Sequence, residues 1–96
     1  MEVVNSVTKE QVEDVLLKSK VDTMQYGDST TIVVCTLPNG FRIVESSSCV
    51  DPANYSQKIG EEICLERIEN KIWELLGYML MEGNYIISEI VNGPKL

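Results

Sequence analysis

Histidine is absent from the chain. That removes the commonest general base and closes off Ser-His and Cys-His nucleophile schemes. Cysteine is sparse: Cys35, Cys49 and Cys64 are an odd number, 14 and 15 positions apart, with no Cys-x-x-Cys pair. No zinc site is expected from that spacing, and the expectation for all three is a free, mostly buried thiol in a cytoplasmic chain. Glycine and proline, at 6 and 3 residues, are too few for a collagenous or low-complexity chain. No apolar run approaches the roughly 18–20 residues that span a bilayer. The start Met1-Glu2-Val3-Val4-Asn5 lacks the basic and hydrophobic stretches of a signal peptide. Positive charge is the last shortage: 8 Lys+Arg stand against 15 Asp+Glu, a net charge of −7. Such a balance repels phosphate backbones and anionic lipid, so neither non-specific nucleic-acid binding nor a membrane partner is expected. Local basic pockets for small anions stay open, because screening limits distant charge to about 8–10 Å.

What is present is an ordinary globular composition, 44% hydrophobic and 24% charged over 96 residues. One domain covering residues 1–96 is expected. A chain this short buries only about two thirds of the surface its unfolded form exposes, so self-association would help it.

Thr8-Lys9-Glu10-Gln11 carries the pattern of a capping box, with Val7 and Val12 placed to close a hydrophobic staple. A short surface helix over 9–18 follows, with Val12, Val15 and Leu16 as its apolar stripe. Val21–Tyr26 and the β-branched run Thr30–Leu37 read as strands about the turn Gly27-Asp28-Ser29. Pro38-Asn39-Gly40 turns the chain into a third strand from Phe41. The middle strand is apolar on both sides, so one face should take helices and the other is free for a second subunit. Asp51-Pro52 and Ser56 are two successive helix starts, predicting one short turn and then a long helix over 57–81.

Within that helix Cys64, Leu65, Ile68, Ile72, Leu75, Leu76 and Met79 fall in an arc of roughly 120°, the width of a core stripe. Ile59, Ile63, Trp73, Gly77 and Met81 form a second line, the expected contact with another copy of the chain in a homo-oligomer such as a dimer. Gly83-Asn84 reads as the helix C-cap, and Tyr85–Val91, bounded by Asn92-Gly93-Pro94, as an extra edge strand or an arm. The fold class is therefore α+β: a short N-terminal helix, a three-stranded antiparallel meander, a long C-terminal helix and that final strand or arm.

Polar groups concentrate in Ser46–Tyr55, between a strand end and a helix start. Backbone N–H groups there can receive an anion, with Ser47, Ser48, Asp51, Asn54 and Tyr55 adding contacts and Arg42 and Lys58 adding charge. The competing reading is local capping, with Asp51 and the serines satisfying turn and helix-end donors. Glu62, Glu66 and Glu69 share helical spacing, but carboxylates without His make poor metal sites and fit a solvated face, with Arg67 and Lys71 as neutralising neighbours. Trp73 and Tyr78 are candidates to stack a base, although rings on a packed helix usually belong to core or interface. No segment matches a Gly-rich phosphate loop. No metal, no cofactor and no enzymatic turnover are expected.

Leu37-Pro38-Asn39-Gly40-Phe41, Cys49-Val50-Asp51-Pro52-Ala53-Asn54-Tyr55, Ile59-Gly60 and Lys71-Ile72-Trp73-Glu74-Leu75-Leu76-Gly77-Tyr78-Met79-Leu80 together resemble the small tailed-phage accessory family named after gene product forty-nine of a podovirus. With the leading helix the resemblance covers about residues 7–81, leaving 84–96 as a C-terminal extension. It implies a phage-encoded protein in the host bacterial cytoplasm and supplies no catalytic residues. The expected function is a non-enzymatic binder that inhibits a host factor, with bacterial defence machinery the leading target class; an anti-CRISPR-like protein is one example. The alternative is an oligomeric sponge that sequesters a nucleotide signal, and a third is a structural or regulatory phage component with no host target.

Overall fold

The computed structural model describes residues 6–92. Helix α1 (Lys9–Leu17) is followed by strands β1 (Lys20–Tyr26), β2 (Thr30–Thr36) and β3 (Arg42–Ser48). A short 3-10 turn (Pro52–Asn54) then leads into helix α2 (Gln57–Asn92). The α+β class and the order expected from the sequence are present.

The capping box forms as its residue types require: the Thr8 hydroxyl accepts from the Gln11 backbone at 3.2 Å, and the Gln11 side chain accepts from the Thr8 backbone at 2.9 Å. Val12 is fully buried and Val7 packs against the core beside it. The strands make an antiparallel meander in the order β1-β2-β3. In its register Val33 sits between Thr23 and Glu45, and Cys35 between Val21 and Ile43. Gly40 has a φ of 92°, which L side chains rarely adopt, and this lets the β2–β3 turn close with the Gly40 N–H donating to the Leu37 carbonyl at 2.8 Å.

Successive residues of a strand face opposite ways. Thr31, Val33 and Cys35 of β2 are buried beneath α2, while Ile32 and Val34 face the other side, which no element covers among the described residues. The core is Val12, Val33, Cys35, Ile43, Cys64, Ile68 and Ile72, with Leu65, Leu75 and Leu76 partly buried around it. Met79, expected in that stripe, is 61% exposed because the sheet ends before reaching it. Trp73, expected on the outward line, instead packs against the core.

Two cations of α2 hold the helix to β3. Lys71 pairs with Glu45, and Arg67 donates to the Ser46 carbonyl at 2.8 Å. The sequence assigned both to neighbouring glutamates of their own helix; tertiary packing gives them partners on the sheet.

The end of α2 is a correction. Gly83-Asn84 does not cap the helix, and Tyr85–Val91 is not a strand; α2 continues unbroken to Asn92, while Gly93 and Pro94 lie outside the described residues. Gly83 has no positive φ. A helix already running loses only about 1 kcal/mol at an interior glycine relative to alanine. Ile86, Ile87 and Ile90 also satisfy the helical period, so β-branched composition was the weaker signal. The resulting helix is about 54 Å long at ~1.5 Å per residue. The molecule measures 61 × 29 × 20 Å, with a radius of gyration of 18.0 Å, against about 12.5 Å for a compact chain of this length.

Where α2 crosses β2 the approach is close. A Cβ built on buried Gly60 would stand 2.7 Å from the Thr31 Cβ and closer still to its hydroxyl. Gly60→Ala is therefore expected to destabilise the fold by about 1–3 kcal/mol through overpacking, read as a lower urea midpoint at unchanged slope. Gly77→Ala, with nothing within 4 Å of the added carbon, should leave that midpoint unchanged or raise it.

Candidate functional site

The junction singled out in the sequence does form a pocket. It lies between the end of β3 and the first turns of α2, has a volume of about 190 Å³, and is lined by Ser47, Ser48, Asn54 and Tyr55 with Ile59 and Ile63 opposite. Its ends are set by local chemistry. The Asp51 carboxylate accepts from the Ala53 backbone at 3.0 Å and caps the 3-10 turn, in which Pro52 occupies an early position where no N–H is needed. The Ser56 hydroxyl accepts from the Ile59 backbone at 3.3 Å and opens α2.

Most of the pocket's polar atoms are already engaged within the chain. The Tyr55 hydroxyl shares a 2.7 Å hydrogen bond with the hydroxyl of Thr31, a residue that is fully buried. The Ser48 hydroxyl shares one of 2.8 Å with Thr30, and the Cys49 thiol donates to the Asp51 carbonyl at 3.1 Å. Arg42 and Lys58 do not line the pocket. Arg42 opens β3, six residues from Ser48 and so about 20 Å away at ~3.3 Å per residue; there it lines a separate cleft with Phe41, Lys71 and Glu74. Lys58 is exposed on the first turn of α2. The structure thus gathers four of the seven proposed ligand contacts, assigns Asp51 to capping, and leaves both cations outside.

Sequence reasoning missed Thr31, Gly60 and Ile59 as parts of this corner. A glycine near the start of a long helix, where it lowers helix stability, was the signal that a backbone or side chain approaches there.

A second surface is larger. On the uncovered sheet face Met24, Ile32 and Ser46 lie in one row and Asp22, Val34 and Val44 in the next. Met24, Val44 and neighbouring Tyr26 are 46%, 55% and 72% exposed, making an apolar patch with Lys20, Asp22 and Arg42 at its border. Of the residues proposed for a contact between copies, Ile59 and Met81 are exposed, Ile63 lines the junction pocket, and Gly77 has open space around it.

No group of three or more His, Cys, Asp or Glu placed to hold a metal ion occurs among the described residues, and no described helix is long and apolar enough to cross a membrane. The titration shifts belong to the core. Burial pushes the thiols of Cys35 and Cys64 up, opposed at Cys35 by a hydrogen bond with Ser19 and at Cys64 by the Arg67 charge.

A sequence model of the phage protein (N4 Gp49/phage Sf6 gene 66) family matches residues 7–83. The chain belongs to that family. Neither the curated proteins nor the solved structures give a match.

Two outcomes follow from the thiols and the cap. Unfolded thiols ionise near pH 8.5, whereas the buried pair stays protonated to higher pH. Above that value the unfolded chain binds fewer protons than the folded one, and stability falls as pH rises. Urea midpoints measured from pH 7 to pH 10 should decline accordingly, and iodoacetamide at pH 8 should modify Cys49 alone in the native protein but all three thiols in denaturant. Asp51→Ala should lower stability by about 0.5–2 kcal/mol; an unchanged melting temperature would remove the capping role.

Proposed function

From membership of this phage family we propose that the protein acts by occupancy: it binds and inhibits a host factor in the bacterial cytoplasm, with defence machinery as the target class, and turns over no substrate. The observation that supports this reading is the uncovered sheet face. A monomeric soluble protein rarely leaves the central strand of a sheet apolar on its solvent side without a partner. Here Ile32 and Val34 lie at the centre of such a face, with Met24, Tyr26 and Val44 around them. An apolar centre with a polar border is the anatomy of a protein interface.

Charge adds to the argument. The −7 balance favours encounter with a basic target, such as a protein whose own ligand is a nucleic acid or nucleotide, and acts chiefly on the association rate. The junction pocket gives less support to nucleotide sequestration. Its volume of about 190 Å³ lies below the roughly 300–1,000 Å³ of ordinary ligand sites, and no lysine or arginine lines it.

Val44→Lys replaces an exposed residue of the patch, beside Val34 on the edge strand β3. It is expected to keep the melting temperature of the parent while reducing capture of the host target by at least about tenfold, roughly 1.4 kcal/mol. Inhibition of the captured target should reach completion at one copy per target molecule. Complete inhibition at a tenth of that amount, or a chemically altered ligand by mass spectrometry, would establish turnover and overturn the occupancy mechanism.

A further inference from the structure

The side of α2 that packs on the sheet does not end where the sheet ends. Ile68 and Ile72 are fully or almost fully buried against it. Ile86 and Ile90 follow them by 18 positions each, about five whole turns at ~3.6 residues per turn, and so lie on the same side of the helix. They are 49% and 76% exposed. Among the described residues, none from Gly77 onward belongs to the core or packs against it, so Gly77–Asn92 projects about 24 Å at ~1.5 Å per residue. Among the described residues, eight of the sixteen exposed large hydrophobics lie between Tyr78 and Val91.

The spacing of this stripe selects what covers it. Leu76, Met79, Gly83, Ile86 and Ile90 recur at intervals of 3, 4, 3 and 4, the heptad pattern of a helix that pairs with another helix of the same pattern. We propose that this projecting arm pairs with the same arm of a second copy, antiparallel, in a two-fold symmetric dimer. The inference is independent of the host-factor reading, which uses the sheet face.

Orientation follows from the body of the molecule. At the root of the arm, the sheet and α1 occupy the very side of α2 that bears the stripe. Parallel pairing would force two sheets into the space between two helices, whereas antiparallel pairing sets each root against the partner's free tip. With the symmetry axis midway between Gly83 and Ile86, Gly83 meets the partner's Ile86 and Met79 meets the partner's Ile90. A glycine opposite an isoleucine is the small-against-large fit that close helix packing needs. Leu80 meets the partner's Ile87 on one flank. Glu82 meets the partner's Glu89 on the other, a like-charge pair that the apolar contacts must outweigh and whose cost falls as salt is raised.

The tip also gains a seat. An apolar cleft formed by Val15, Leu37, Phe41 and Leu75 opens at the root beside Met79, with a volume of about 310 Å³. At roughly 60–120 Å² per apolar side chain, from the ratio of transfer energy to area, six or seven residues per copy bury about 1,200 Å² in total, the lower bound of a stable interface. Of this stripe Ile86 and Ile90 lie beyond the family match, which ends at Gly83, while Leu76, Met79 and Gly83 lie within it.

Sedimentation equilibrium of the full chain at micromolar concentration should give twice 10.8 kDa. Ile86→Glu and, separately, Ile90→Glu lie outside the core and should raise the dissociation constant at least tenfold while keeping a cooperative urea transition. Met81→Glu, on the far side of α2, should leave the mass unchanged. Orientation is read with a Cys49→Ser background, in which Gly83→Cys mixed with Ile86→Cys should cross-link faster than either alone. A wild-type mass of 10.8 kDa, a dimer that survives both glutamate substitutions, or faster homotypic cross-linking of Ile86→Cys would overturn the proposal.

Discussion

The contact between Gly60 of α2 and Thr31 of β2 sets the geometry of everything else. With no side chain at Gly60, the helix lies against the strand closely enough that a methyl group would collide with Thr31. Among the described residues Thr31 is the one buried polar side chain, and its hydroxyl is satisfied by the Tyr55 hydroxyl from the segment that introduces α2. A buried hydroxyl without a partner costs about 1–3 kcal/mol, so the entry of α2, its depth on the sheet and the position of Tyr55 are coupled. The Cys64 thiol, one turn further on, faces the Thr31 carbonyl at 4.0 Å.

From this anchor the helix runs across β2 and β3, and the Lys71–Glu45 pair with the Arg67–Ser46 bond fixes its direction. Glu45 is the better buried partner, its side chain 14% exposed against 49% for Lys71, so the cation prevents an unpaired carboxylate from being trapped beside the core. The strands are only seven residues long, so they run out while α2 still has more than four turns to go. A short sheet under a long helix leaves two apolar surfaces, the outer sheet face and the far part of the helix. Their separation has a geometric consequence: a dimer built through the arms, as proposed, would keep both sheet faces free and carry them at opposite ends of one rod.

The junction pocket illustrates how a polar cluster acquires a structural role. Ser, Asp and Asn at a strand-to-helix passage satisfy backbone donors first, and here the carboxylate of Asp51 and the hydroxyls of Ser48, Tyr55 and Ser56 each have a partner within the chain. Without Arg42 or Lys58 among its walls, the corner has no fixed positive charge for an anionic ligand.

Local patterns decided the elements. Thr8 with Gln11, Asp51 with Pro52, Pro38-Asn39-Gly40 and the β-branched run of β2 each act within a few residues, so capping, turns and strand order were legible in the sequence, as was the stripe through Cys64, Ile68 and Ile72. The family was legible too, in the block Cys49–Tyr55 and its distance from Ile72-Trp73. What the linear chain could not decide is what depends on partners distant in sequence: that Lys71 and Arg67 serve β3 and not their own helix, that Trp73 turns into the core, and that Gly60 is a point of contact. The segment after Gly83 was misread for the same reason. Its composition fits strand and helix alike, and the choice fell to a helix already propagating from Gln57, whose continuation adds one hydrogen bond per residue while a new strand would need a sheet edge within reach.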